Sequence, residues 1–229
     1  MGSDRRTELA DNLAAVRGRI ADAARAAGRA PSELTLVAIT KGHPASDVAL
    51  LAELGVSEVG ESRDQEAAPK RADVQGELCW HMVGRLQTNK ARSVAHWADV
   101  VESVDRLALV QALDAEAQRI GRRLAVGVQV SLDGDPDRGG VLERDLPALA
   151  EAVVAAGALD LLGLMAVAPL GADPAAAFAR LRAIREPFLA AHPEATMLSA
   201  GMSADLEAAV SAGATHVRIG TALLGTAFH

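Results

Sequence analysis

"LTLVAITKGHPAS" (residues 34–46) decides how the rest of the chain is read. Leu34, Leu36, Val37, Ala38 and Ile39 form an apolar run too short for a helix, as expected of a strand buried on both faces. Lys41 ends it, Gly42-His43-Pro44 breaks the chain, and Pro44-Ala-Ser46 opens a helical pattern. A lysine at the end of a buried strand leaves two alternatives. It is either a solvated charge leaving the sheet or an amine held at the mouth of a site. Alternation along the strand puts Val37, Ile39 and Lys41 on one face.

This strand–turn–helix unit recurs. Strand-like segments fall near 34–40, 57–60, 79–83, 99–103, 124–131, 159–167, 195–199 and 215–219. Segments of helical composition lie between them, at 45–54, 63–72, 87–96, 106–119, 142–156, 174–190 and 203–212. Ahead of them, Leu9, Leu13, Val16, Ile20, Ala23, Ala24 and Ala27 recur at helical spacing until Gly28. Eight strands alternating with helices predict an α/β fold, a closed (β/α)8 barrel of TIM type. The helix within residues 1–28 stands outside the repeat, and residues 1–229 form one domain. An open doubly wound sheet is the alternative, but no Gly-x-Gly-x-x-Gly turn follows the first strand.

Composition narrows the function classes. With three Phe, two Trp and no Tyr in 229 residues, the core must be aliphatic. Thirty acidic residues against 23 basic ones give a net charge of −7, with no basic stripe, so nucleic acid and anionic membranes are poor partners. A lone cysteine, Cys79, forms no intramolecular disulfide and removes most metal-site templates, so no metal site is expected. It starts its strand and reads as a small buried residue. The N-terminus lacks the apolar core of a signal peptide and no stretch approaches a membrane span, which points to a cytoplasmic protein.

Barrel sites gather at the C-terminal ends of the strands. Those ends carry Lys41, Glu61-Ser62, His81, Ser131 with Asp133, Met165, Ser199 and Arg218. A partly desolvated lysine there has its charged form disfavoured and is a better nucleophile toward an aldehyde. In "LSAGMSADLEAAVSAGATHVRIGTALLG" (198–225), Ser199-Ala-Gly201-Met202-Ser203 joins strand to helix through small residues. Gly220-Thr221 repeats the device after the last strand, and paired glycine turns with free N–H groups suit an anion. Val217 and Ile219 share a face, so Arg218 and His216 point the other way, into the barrel. His81 reads either as a hydrogen-bonded core residue or as part of the site, and Met165 reads as packing.

The stretches "LVAITKGHP", "GESRDQE", "WHMVGRLQTNK", "GLMAVAP" and the 198–225 segment occur in an order that resembles the pyridoxal phosphate homeostasis protein family. That family has the fold of the alanine racemase N-terminal barrel. The resemblance implies that Lys41 carries pyridoxal 5′-phosphate (PLP) as an internal aldimine. It implies that Ser199, Gly201, Met202 and Ser203, with Gly220 and Thr221, hold the phosphate. Arg218 would face the pyridine nitrogen, with Ser62, His81 and Met165 completing the cofactor contacts. A cation there disfavours protonation of the ring and weakens PLP as an electron sink. Ser62-Arg63 stands where the family has Asn-Tyr, Arg85 replaces a common proline, Arg138 a common lysine, and Ala200 is smaller than usual.

The implied role is a non-catalytic PLP carrier or buffer in vitamin B6 homeostasis, exchanging with amino acids or apo-PLP enzymes. Such a chain lacks the racemase second domain and its dimer contacts, so a monomer is expected. A racemase is the alternative, but two-base racemization needs a second acid–base group, supplied in that fold by a tyrosine that this chain lacks. A cofactor-free Schiff-base aldolase is a further alternative.

Overall fold

The computed structural model describes residues 2–135 and 138–227. Eight strands alternate with helices as the spacing predicts: β1 (Thr35–Ile39), β2 (Glu58–Glu61), β3 (Cys79–Met82), β4 (Val100–Val104), β5 (Leu124–Gln129), β6 (Leu159–Met165), β7 (Met197–Ser199) and β8 (His216–Ile219). All pair in parallel in sequence order, and β8 returns to β1 with Val37 opposite Arg218, closing the barrel. Closure leaves no unpaired edge.

The connecting helices are α2 (Ala45–Glu53), α3 (Asp64–Asp73), α4 (Ala91–Trp97), α5 (Leu107–Arg119), α6 (Leu146–Ala155), α7 (Pro174–Ala191) and α8 (Leu206–Ser211). Asp173 caps α7, accepting the Ala175 N–H at 3.2 Å, with Pro174 in its first turn. The helix expected over 203–212 starts only at Leu206, because Asp205 Oδ1 takes the Met202 N–H in a turn before it. A four-residue helix, α9 (Thr221–Leu224), follows β8, where the sequence suggested only a glycine turn.

That short helix cannot cover the β8–β1 seam, and α1 (Gly2–Ala26) does so instead. Its stripe of Leu9, Leu13, Val16, Ile20 and Ala23 is buried. Burial of each Leu or Ile contributes about 1.5–3 kcal/mol. Arg5 reaches Asp47 and the Leu224 carbonyl, Asn12 the Leu223 carbonyl, and Arg19 the Ser203 carbonyl. The helix outside the repeat thus takes the eighth place in the ring. No helix among the described residues is long and apolar enough to cross a membrane.

The main core lies between the outward strand faces and the helices, where Val59, Trp80, Val101, Val217 and Ile219 are buried. Trp80 is fully buried, with the Arg71 guanidinium 5.8 Å from its ring centroid. The second tryptophan, Trp97, donates from Nε1 to Asp64 Oδ1 at 3.0 Å. The inside of the barrel differs from the usual filling of branched apolar residues. His216, Glu58, His81, Glu102, Ser199 and Arg218 are linked there, each to the next, as a chain of polar groups.

Candidate functional site

Lys41 sits just past β1, in a turn whose backbone is fixed on both sides. Thr40 is buried; its N–H donates to the Gly60 carbonyl (3.0 Å) and its hydroxyl to Glu61 Oε1 (2.6 Å). The Thr40 carbonyl accepts from Lys70 Nζ at 2.8 Å, and the same ammonium donates to Glu61 Oε1 at 2.7 Å. Beyond Lys41, Gly42 turns the chain with φ +73°, and its N–H donates to Glu66 Oε2 at 3.0 Å. Burial pushes the Glu61 carboxyl above the usual carboxylate range, against the hydrogen bonds from Lys70 and Thr40.

The Lys41 side chain is exposed and meets no hydrogen-bond or ion-pair partner among the described residues. The desolvation expected from the sequence is therefore absent. β1 ends at Ile39, and the turn swings the amine out of the stacked barrel interior to the rim.

The neighbouring strand ends bring the glycine turns to the same rim. A Cβ on Gly220 would lie 3.4 Å from Ile39 O, so the end of β8 passes directly beside the approach to Lys41. The Arg218 N–H donates to the Gly201 carbonyl at 2.9 Å, which ties the loop after β7 to β8. Gly201 has φ +94°, and its missing Cβ leaves room for Ala209. Among the described residues, the backbone N–H groups of Gly201, Ser203, Gly220 and Thr221 meet no acceptor. Unpaired donors converging in two adjacent turns form an anion-binding concavity. The Met202 N–H is instead taken by Asp205 Oδ1 at 2.6 Å.

Ser199 belongs to the layer beneath. Its hydroxyl donates to Glu102 Oε2 (2.6 Å) and accepts from Arg218 Nη1 (2.7 Å), while Arg218 Nη2 donates to the Ala166 carbonyl (2.9 Å). Arg218 is 5% exposed and points into the barrel as the alternation predicts. Its Nε is the one guanidinium nitrogen that takes no part in these contacts. Burial lowers the Arg218 pKa, opposed by Glu102 3.8 Å away. Burial also raises Glu102, but His81, Arg218 and Ser199 outweigh it and hold its pKa at about 2.

His81 lies deeper than the rim position expected for it. Nδ1 faces Glu102 Oε1 at 2.7 Å, and Nε2 lies 2.9 Å from Glu58 Oε2 and 3.4 Å from Cys79 Sγ. Burial lowers its pKa, yet hydrogen bonds with Cys79, Glu102 and Glu58 carry it well above the ordinary histidine value. Cys79 starts β3 as expected but is half-buried, with its thiol on this imidazole. Met165 is buried and pairs with Ser199 in register.

On the opposite flank, a cleft of about 590 Å³ is lined by Ser62, Arg63, Arg85, Gln87, Lys90 and Arg106 among others. Ser62 is drawn there by its contact with the loop after β3, where Gly84 leaves no space for a Cβ beside the Ser62 carbonyl. Asp133 accepts from Ser131 Oγ at 3.3 Å, and Arg138 donates to the Ala168 carbonyl at 2.8 Å.

Glu102 and Lys70 organise this site, and neither stood out in the sequence. A glutamate inside the buried run "VVESV" was the available signal, since a buried carboxylate needs partners.

The family model described as alanine racemase, N-terminal domain, matches residues 12–227. A Mycobacterium tuberculosis protein named pyridoxal phosphate homeostasis protein is 49% identical, over 97% of this chain and 94% of its own. Among solved structures, PipY of Synechococcus elongatus with PLP bound matches with a TM-score of 0.83 and 35% identity, over 95% of this chain and 100% of that one. An alanine racemase of Clostridium difficile shares the fold, with a TM-score of 0.72 and 16% identity, over 95% of this chain and 56% of that one.

Proposed function

Because the chain belongs to the pyridoxal phosphate homeostasis protein family, we propose that it binds PLP reversibly at the barrel rim and serves as a carrier or buffer in vitamin B6 homeostasis. PLP supplies an aldehyde that condenses reversibly with a primary amine. Lys41 is the amine offered to it, and its lack of any internal partner beside an unfilled N–H nest is the observation that carries this reading. Gly201, Ser203, Gly220 and Thr221 present the donors suited to a phosphate. Met202 joins them when Asp205 releases its N–H, and Ser199 acts from below by holding Arg218.

Arg218 places a fixed cation at the floor of the rim. A cation disfavours a protonated ring nitrogen, so substrate carbanions gain little stabilisation here. His81, with both nitrogens engaged in the interior, supports Arg218 through Glu102 and Ser199 rather than moving a proton at the rim. Ser62 and Met165 close the two sides of the site. With no tyrosine for a second face, the chain suits holding and handing over the cofactor better than racemization.

Exposure of Lys41 serves that role, because an incoming amine of an amino acid or an apo-enzyme would reach a cofactor held there directly from solvent. In this reading the protein is a single-domain monomer of the cytoplasm. The test is the absorption spectrum of the purified protein with PLP, before and after borohydride, for wild type and Lys41→Ala. A violet-edge band that borohydride abolishes, with the cofactor mass fixed on Lys41 and both absent in the variant, is the expected result. A wild type that stays colourless with excess PLP overturns it.

A further inference from the structure

The interior chain of polar groups ends, at the N-terminal face of the barrel away from Lys41, in a cluster of which PLP binding uses only the Nδ1 side of His81. Glu58 opens β2, Cys79 opens β3, His81 follows two residues later, and His216 opens β8. Atoms of Glu58, Cys79 and His81 able to ligate a metal lie within 4.8 Å of one another. The individual edges are 2.9 Å from Glu58 Oε2 to His81 Nε2, 3.4 Å from Cys79 Sγ to His81 Nε2, and 3.8 Å from Glu58 Oε2 to His216 Nε2.

We propose that Glu58, Cys79 and His81 form a three-ligand site for a zinc-class divalent cation, with the fourth position open to solvent beside His216, whose Nε2 lies 3.8 Å from Glu58 Oε2. Zinc bonds of about 2.0–2.3 Å at tetrahedral angles give edges between ligand atoms of about 3.3–3.6 Å, so the Cys79–His81 edge of 3.4 Å already fits and the Glu58–His81 contact of 2.9 Å widens slightly on binding. A mixed thiolate, imidazole and carboxylate set selects zinc or a close relative over magnesium or calcium, which take oxygen ligands.

The surrounding contacts favour the same arrangement. The ligating histidine is oriented from behind, with His81 Nδ1 2.7 Å from Glu102 Oε1, which turns Nε2 towards Glu58 and Cys79. A carboxylate behind a ligating imidazole is the usual outer partner of such sites. Glu58 Oε2 is buried and lies 2.9 Å from His81 Nε2 and 3.8 Å from His216 Nε2. A buried carboxylate oxygen needs a cationic or hydrogen-bonding partner, and a divalent ion held between Glu58 and His81 takes the place of the imidazole proton. Glu58 and Cys79 are each half-buried, as is His216 beside them, which leaves an entry path from the N-terminal face. On binding, the thiol proton and the proton on His81 Nε2 leave to solvent, and the metal forms bonds to sulfur and nitrogen in their place.

The experiment is a cobalt(II) titration of untagged, full-length, metal-stripped protein freed of PLP. Because Cys79 is the only cysteine, a thiolate-to-cobalt charge-transfer band reports this site alone. The expected result is one equivalent of cobalt giving that band with the intense visible ligand-field bands of four-coordinate Co(II), all displaced by zinc. Glu58→Gln, which keeps the thiol, should weaken binding by about tenfold or more. Cys79→Ser should lose the charge-transfer band. Circular dichroism matching wild type shows that both variants fold. An octahedral spectrum without charge transfer at one equivalent overturns the proposal. So does a folded Glu58→Gln that binds as tightly as wild type, or zinc stabilisation of wild type and Cys79→Ser alike.

Discussion

Replacing Lys70 with Met removes the ammonium while keeping most of its apolar stem. In the native protein Lys70 Nζ donates to Glu61 Oε1 at 2.7 Å and to the Thr40 carbonyl at 2.8 Å, and the Glu61 side chain is fully buried. In Lys70→Met, Glu61 keeps only the Thr40 hydroxyl on Oε1, and its Oε2 already lacks a partner. Two hydrogen bonds to a charged group, at about 1.5–3 kcal/mol each, set the loss at about 3–6 kcal/mol. Breaking a buried ion pair by removing one partner independently suggests about 3–5 kcal/mol.

Protonation of Glu61 limits that loss, which fixes the sign of the pH dependence. Burial already places the native Glu61 pKa above its ordinary value, and losing Lys70 raises it further. The folded variant therefore keeps a proton that the unfolded chain releases above about pH 4.3, so its stability falls as pH rises through the folded pKa. Urea denaturation of Lys70→Met and wild type should show a gap of several kcal/mol near pH 8 that narrows towards about pH 5.5. The double variant Lys70→Met/Glu61→Gln, with no buried charge, should recover most of the loss. A single variant within about 1 kcal/mol of wild type near pH 8 would refute the reasoning, because typical surface changes cost no more. A gap that widens in acid, or a double variant no better than the single one, would refute it equally.

The remaining expectations concern the rim and its supports. Gly201→Ala forces a Cβ to 2.6 Å from the Ala209 methyl at φ +94°, and about 1–3 kcal/mol of strain should appear as at least tenfold weaker PLP binding in equilibrium dialysis. Arg218→Lys keeps the charge but not the fork that spans Ser199 and Ala166 O, so the melting temperature should fall with a loss of about 1–3 kcal/mol. An unchanged melt would mean that the fork is not structural. Burial holds His43 below the ordinary histidine pKa despite Asp47 nearby, so its contribution is present above the unfolded pKa of about 6.5 and lost as pH falls through the folded value. The stability difference between wild type and His43→Gln, read by thermal melts, should shrink on acidification; a constant difference would contradict this.

The strand order was legible because each strand is a short branched run bounded by turn residues. Thr35–Ile39 ends before Lys41-Gly42, and Leu159–Met165 before Ala166-Val-Ala-Pro169, so sequence alone placed the eight strands to within a few residues. Arg218 was legible as inward-facing because alternation on a strand is strict. The supports of the site were not. Glu102 meets Ser199 97 positions later, and Lys70 reaches Thr40 30 positions earlier, so no local pattern links them. The exposure of Lys41 was missed for a different reason. Alternation fixes direction only while the strand lasts, and β1 stops two residues short.

The two tryptophans have an optical consequence. With no tyrosine in the chain, near-ultraviolet emission arises from Trp80, sealed against the helices, and from Trp97, whose indole is bonded to Asp64 on the cleft beside the rim. A bound chromophore absorbing at the violet edge overlaps indole emission and drains it by resonance transfer. Departure of the cofactor to an acceptor should therefore register as a recovery of intrinsic fluorescence, in real time and without a label.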